Sequence, residues 1–85
     1  MSRHLVKKEG KTIAYGYDEM MPAPLGGYFF QVFEENLVSE ENPEGVSVNE
    51  GMVKGISRNR MAELMAEHKI TNRHHLTCLA LDMPF

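Results

Sequence analysis

Apolar and polar side chains alternate along the first part of the chain. In residues 11–18, Ile13, Tyr15 and Tyr17 occupy every second position, which puts them on one face of a β-strand. Residues 3–8 precede them, and the two segments are joined by Glu9 and Gly10. Glycine supplies the positive φ that a tight hairpin turn needs. Residues 3–18 therefore predict an antiparallel hairpin.

The next apolar segment is the strongest strand candidate. Residues 28–35 are rich in aromatic and β-branched side chains that fall on both faces: Tyr28, Phe29, Phe30, Val32 and Phe33. A strand that is apolar on both faces is typical of a buried, central position in a sheet. Residues 45–56 alternate more weakly and predict one further strand, interrupted by Gly51 and Gly55.

The hydrophobic period changes after Ser57. Apolar or core-compatible side chains recur at helical spacing on one side of residues 58–69: Met61, Leu64, Met65 and His68. Ser57 or Asn59 can cap the start of this helix. Residues 72–81 predict a second helix, with Thr71 or Asn72 as its cap, although the run from Leu76 to Leu81 also suits a strand. The buried side of this helix is expected to carry Leu76, Leu79, Ala80 and Met83.

Strands followed by helices are typical of the α+β class. We expect one domain over residues 1–85. Its predicted architecture is an antiparallel β-meander of three to four strands in residues 3–56. One or two helices, at 58–69 and 72–81, then pack on one face of the sheet.

Composition agrees with a small globular protein. The 85 residues are 42% hydrophobic and 25% charged, and no run of about 18 apolar residues suggests a membrane span. Cys78 is the only cysteine, so a disulfide within the chain is excluded. With no apolar stretch in the first residues, this predicts a cytoplasmic location. A core this small favours stabilisation by a second copy, and we expect a homodimer.

Charge is distributed unevenly between the two parts of the sequence. Residues 1–53 carry four basic and nine acidic side chains, whereas residues 54–85 carry five basic and three acidic ones. Three of the four histidines also lie in the second part. An anionic partner for the second part, or head-to-tail attraction between copies, would fit this distribution.

The loop at residues 19–27 is the first candidate binding site. It combines adaptable apolar side chains with prolines that hold it extended: Met20, Met21, Pro22, Pro24 and Leu25. These side chains either fold back over the core or contact a protein partner or a second copy. Folding back over the core is the simpler interpretation, and a protein-binding surface formed by these five residues is the alternative hypothesis.

A nucleic-acid-binding regulator is the alternative function. Residues 57–81 have the outline of a helix-turn-helix, with candidate contacts at Arg58, Arg60, Arg73 and His74. Lys69 replaces the usual turn glycine, and the second helix is apolar for an exposed reading helix. The net charge of −3 also works against binding to phosphates.

Metal binding or catalysis is the third possibility. His74 and Cys78 are four residues apart, and His68 precedes them, so three ligands of the kind that zinc prefers lie close in sequence. The spacing matches no known zinc pattern, and a packed Cys78, with His68 at the core edge and His74 near the start of the second helix, is the better explanation. The chain contains no phosphate-binding loop, nucleophile elbow or His-Glu-x-x-His motif. We therefore expect a non-catalytic interaction or regulatory module without a cofactor.

Overall fold

The computed structural model describes residues 2–18 and 27–85 and has strands before helices. The strands are β1 (His4–Lys8), β2 (Lys11–Tyr17), β3 (Tyr28–Glu34) and β4 (Val46–Glu50). The helices are α1 (Arg58–Glu67) and α2 (Arg73–Ala80), and a short 3-10 helix, Glu35–Leu37, follows β3. The predicted α+β class is confirmed, with four strands and two helices.

The four strands form one antiparallel sheet in the order β1-β2-β3-β4. The β1–β2 turn is the predicted hairpin: Lys8 lies opposite Lys11, and Gly10 has a φ of 71°. The prediction that β3 lies inside the sheet is also confirmed. The predicted strand at 45–56 is shorter in the structure, because the chain turns at Gly51 with a φ of 85°. A Cβ at that position would overlap the Tyr28 carbonyl.

One face of the sheet carries the core. Cross-strand register places Tyr15 opposite Phe30 and Ile13 opposite Val32, and strand alternation puts all four on the same face. They belong to one buried cluster with side chains from the helices and the segment between them: Met61, Leu64, Met65, Ile70 and Leu79. The period-two pattern of the strands and the helical pattern of residues 61–65 thus meet in a single core.

Both helices begin with a side-chain cap and end in the same motif. The Ser57 hydroxyl accepts a hydrogen bond from the Arg60 N–H, and the Asn72 amide oxygen accepts one from the His75 N–H. At the end of α1, Lys69 has a φ of 55° and the Ile70 N–H donates to the Met65 carbonyl. This is a Schellman motif, and it lets Ile70 fold back onto the core.

The prediction of which α2 side chains are buried was partly wrong. The buried residues are His75, Cys78 and Leu79, whereas Leu76 is 38% exposed and Met83 is 49% exposed. The helix starts at Arg73, and in this register His75 and Leu79 share the side that meets the sheet. Neither helix within residues 2–18 and 27–85 has the length and apolarity needed to cross a membrane.

Candidate binding site: a basic groove at the β1 edge

Strand β1 lies at an edge of the sheet, and its register shows which backbone groups face outward. The Ser2 N–H donates to the Tyr17 carbonyl over 2.9 Å, so these residues form a hydrogen-bonded pair. Bonded and non-bonded pairs alternate in an antiparallel ladder. The even-numbered residues of β1 are therefore bonded to β2 in this register. The N–H and C=O groups of Arg3, Leu5 and Lys7 point away from β2.

A groove runs along this open edge. It has a volume of about 1020 Å³ and lies between β1 and residues 69–72, which connect the two helices. Arg3, His4, Leu5 and Val6 all line it. Consecutive residues alternate between the two faces of a strand, so the backbone edge of β1 forms one wall of the groove.

The groove is basic. Arg3, Lys8 and Lys69 line it, and none of the described residues that line it is acidic. The ion pairs within the described residues join Lys11 to Glu34, and Arg60 to Glu50 and Glu63. The three cations of the groove therefore keep their charge free of a described carboxylate. A positive groove on a chain with a net charge of −3 is a local departure from the charge of the whole protein.

Two of these cations are positioned by hydrogen bonds. The Lys8 ammonium donates to the carbonyl of His68 over 2.7 Å and to that of Lys69 over 3.4 Å. These carbonyls lie at the negative end of α1, where a cation is stabilised. Arg3 donates through one guanidinium nitrogen to the Gln31 side chain over 3.1 Å. An ammonium has three N–H donors and a guanidinium has five, so both residues retain donors for a ligand.

Aromatic and imidazole rings form the floor. The Tyr15 hydroxyl and His75 Nδ1 share a hydrogen bond of 2.5 Å. The His4 ring lies over His75 with 4.0 Å between ring centroids, and the Phe85 ring stacks on His75 with 5.2 Å between centroids. The Nε2 atom of His4 is buried without a hydrogen-bond partner among the described residues. The floor is therefore built of rings, with the bonded Tyr15–His75 pair and the unpartnered His4 Nε2 among its polar atoms.

Burial sets the protonation of the Tyr15–His75 pair. Desolvation lowers the pKa of His75 below its ordinary value of 6.5, and the neighbouring His4 and His74 lower it further. Desolvation also raises the pKa of Tyr15 above 10.0. Both partners are therefore neutral at neutral pH. Since the Tyr15 hydroxyl is buried and already bonded, the pair shapes the groove and offers no free nucleophile.

The opposite sheet edge, at β4, is closed by side chains. The Asn42 side chain accepts a hydrogen bond from the Val46 N–H and donates one to the Val46 carbonyl, each over 3.0 Å. At the other end of β4, Glu50 accepts from Arg60 over 2.5 and 2.8 Å. The hydrogen bond from Arg60 lowers the pKa of Glu50. The Glu50 carboxylate is therefore paired with a cation, and the first outward backbone groups of this edge are already satisfied by Asn42.

The residues predicted for partner binding and nucleic-acid binding have different outcomes. Met20, Met21, Pro22, Pro24 and Leu25 lie outside the described residues, and their role stays a prediction. Among the nucleic-acid candidates, Arg58 donates to the Ala80 carbonyl over 3.2 Å and Arg60 pairs with two carboxylates. Arg73 and His74 are exposed in the first turn of α2. The structure does not gather the four candidates into one free basic surface.

The histidine–cysteine candidates are also separated. His74 Nε2 lies 3.8 Å from Cys78 Sγ, whereas the His68 ring contacts Phe30 with 5.2 Å between centroids. Within residues 2–18 and 27–85, no three histidine, cysteine or acidic side chains come close enough to hold a metal ion.

The groove was not predicted from the sequence, because the charge was compared between two long segments divided at residue 53. Averaged over residues 1–53, the bases of β1 are outweighed by the acidic loop that follows β3. The available signal was local: Arg3, Lys7 and Lys8 fall within six residues that contain no acid. Tertiary structure brings Lys69 to the groove, and the residues next to it in the sequence do not indicate this.

No protein-family model matches the chain, and no curated protein or solved structure shows significant similarity to it. The interpretation of the groove therefore rests on its own residues and geometry.

Proposed function

We propose that the protein is a non-catalytic interaction module that binds an acidic segment of a partner protein in the basic groove at β1. The observation that carries this proposal is an open strand edge with cations on both of its sides: Lys8 and Lys69 toward the helices and Arg3 on the outer face, none of them paired with a described carboxylate. Complementary charge favours association and selects partners of opposite sign.

The lining of the groove favours a protein segment over a nucleic acid. Val6, Leu5 and Ile70 contribute apolar surface between the cations, which suits a polypeptide with mixed side chains. A nucleic acid needs a larger set of phosphate contacts, and Arg60 is engaged by carboxylates. The experiment below therefore also includes a single-stranded nucleic acid as a competing ligand.

The direct test is a titration with a defined acidic probe. The probe is a blocked nonapeptide in which valine and glutamate alternate, and its valine–lysine counterpart is the control. We expect the acidic peptide to bind with an affinity that falls as salt is added, because exposed charges are screened. Lys69→Glu should reduce the affinity about five- to tenfold. Lys54→Glu makes the same charge change at an exposed position outside the groove and should leave binding intact.

Two results would contradict the proposal. Equal binding of the acidic and basic peptides would remove the role of charge. A similar loss of affinity in the Lys54→Glu and Lys69→Glu variants would show that net charge, and not the groove, governs binding. Tight binding of a nine-nucleotide single strand with no binding of the acidic peptide would favour the nucleic-acid alternative.

We also propose that the module acts as a homodimer through the exposed face of α2. Leu76, Ala80 and Leu81 form an apolar strip along α2 and its C-cap, interrupted by Thr77 and with Arg73 at one end. In an antiparallel pair of α2 helices, the strip of one copy would pack against the same strip of the second copy. The same patch then serves both copies, as a twofold interface requires.

The oligomeric state tests the homodimer. Native mass spectrometry should give twice the chain mass for the unchanged protein and a monomer for the Leu76→Asp, Leu81→Asp double variant. Val53→Asp is the matched control, because Val53 is 94% exposed and lies outside α2. A monomeric unchanged protein would contradict this part of the proposal. The proposed location is the cytoplasm, where the single thiol of Cys78 stays reduced.

A further inference from the structure

We infer that the acidic segment binds as a fifth β-strand, antiparallel to β1, and this inference rests on the proposed function of the groove. Strand addition to a sheet edge is a recurrent mode of peptide recognition, in which the backbone provides affinity and alternate side chains provide specificity. Three features of the β1 edge support it.

The first feature is the free backbone of β1. The outward N–H and C=O groups belong to Arg3, Leu5 and Lys7, and the described residues show no backbone hydrogen bond from these three to another element. Unpaired groups along an edge are a template for another strand. Leu5, at the centre of this run, is 58% exposed.

The second feature is the difference between the two faces of β1. On the face toward the helices, the incoming strand would lie beside His4 and Val6, with Ile70 across the groove. On the outer face it would lie beside Arg3 and Lys7. Directly opposed side chains on one face interact, and opposite charges are favoured there. The matching segment therefore alternates apolar residues on the helix face with carboxylates on the outer face.

The third feature is charge, which excludes the simplest competing occupant. If β1 of one copy paired with β1 of another, the basic outer faces of the two strands would be brought together, and like charges directly opposite are destabilising. Pairing β1 with the β4 edge of a second copy is opposed by Asn42, because its amide already occupies the outward groups of Val46. The occupant is therefore an acidic, extended segment of another protein.

N-methylation of the probe separates strand addition from simple charge attraction. In an antiparallel pair, the glutamates of the valine–glutamate nonapeptide would lie opposite Arg3, Leu5 and Lys7 and turn their N–H groups toward β1. Methylating three glutamate nitrogens should reduce affinity at least about tenfold. Methylating three valine nitrogens, which face away from β1, leaves charge and composition equal and should be tolerated.

The protein side is tested at Leu5. Leu5→Pro removes one outward N–H, and proline is tolerated on an edge strand where the N–H faces solvent. This variant should bind about tenfold more weakly, whereas Leu5→Ala, which loses the side chain and keeps the N–H, should stay within about threefold. The amide NMR spectrum of each variant shows whether β2 and β3 keep their native environment.

The outcomes distinguish the inference from the function on which it rests. If the unmodified acidic peptide does not bind, the proposed function fails and the inference fails with it. If all three peptides bind equally, or if both methylated peptides lose affinity equally, the groove binds acidic ligands but strand addition is wrong. If only the valine-methylated peptide loses affinity, the antiparallel direction is wrong.

Discussion

The two edges of the sheet have opposite character. At β4, the Asn42 side chain satisfies the Val46 backbone, and Arg60 bonds the Glu50 carboxylate at the far end. At β1, the backbone of alternate residues faces a basic groove with no described carboxylate in its lining. Both strands are five residues long, so length does not explain the difference.

The two edges avoid unwanted strand pairing in different ways. Exposed sheet edges invite pairing with other chains, and proteins protect them with charged side chains or covering groups. The β4 edge is protected by a side-chain amide and an ion pair. Among the described residues, the β1 edge is protected only by positive charge, which repels a second β1 and leaves the edge open to an acidic strand. The predictions below alter one edge at a time.

The largest effect on stability is expected at the β4 edge. Asn42→Ala removes both hydrogen bonds to Val46, and at about 0.5–1.5 kcal/mol each this should lower the free energy of unfolding by about 1–3 kcal/mol. Asn42→Asp keeps the acceptor for the Val46 N–H and loses the donor. Chemical denaturation should therefore give it a free energy of unfolding between those of the unchanged protein and Asn42→Ala. Neither variant should make β4 bind the acidic nonapeptide, because Glu44 precedes this strand, Glu50 ends it, and the strand contains no basic residue. Binding of the peptide at β4 would show that access to the backbone, and not charge, decides which edge binds the acidic peptide.

A smaller effect is expected at Lys69, where stability and binding should change in opposite directions. Lys69 has a φ of 55°, a conformation that glycine adopts without steric cost. Lys69→Gly should therefore raise the free energy of unfolding by up to about 1 kcal/mol while weakening peptide binding severalfold through loss of a cation. Lys69→Ala keeps the backbone strain and loses the same charge. Lys69→Ala should reduce the affinity for the peptide as much as Lys69→Gly does, without raising the free energy of unfolding. If Lys69→Ala stabilised the protein as much as Lys69→Gly, the argument from backbone strain at residue 69 would be wrong.

The smallest effect is a difference in pH response between the two edges. The folded pKa of His75 lies below 6.5, so the unfolded chain binds a proton before the folded one. Stability contributed near β1 should therefore fall as pH drops below 6.5. The folded pKa of Glu50 lies below 4.5, so the contribution at β4 should be lost only below that pH.

Thermal unfolding between pH 7 and pH 5, compared between the unchanged protein and a His75 variant, measures the first of these contributions. His75→Gln cannot be protonated in this range and should remove part of the decrease that the unchanged protein shows. An equal decrease in both proteins would mean that burial of His75 does not contribute to the pH dependence.

The fold was largely readable from the sequence, because local patterns decide it. The alternation of Ile13, Tyr15 and Tyr17 shows which face of β2 is buried. The apolar side chains on both faces of β3 show that this strand lies inside the sheet. The caps at Ser57 and Asn72 place the helix starts. Which side of α2 is buried was harder to predict from the sequence. The helix has only eight residues and carries apolar side chains on several sides, so tertiary packing decides its rotation about its own axis.

The groove was much harder to read from the sequence than the fold. Its cations come from β1 and from the turn after α1, which are about 60 positions apart in the chain. Only the packing of Ile70 into the core brings the Lys69 turn to the β1 edge. Which amides face outward depends on the register of β1 with β2, and a shift of one residue would reverse it.

Residue-resolved amide hydrogen exchange tests the central claim most directly. In the free protein, the Leu5 and Lys7 amides should exchange faster than that of Val6, which is bonded to β2. With saturating acidic nonapeptide, Leu5 and Lys7 should slow at least about tenfold, while the Asn49 amide in β4 stays unchanged. Saturating binding with no change in exchange at Leu5 and Lys7, or with equal slowing at Asn49, would contradict the account of β1 as the receptive edge.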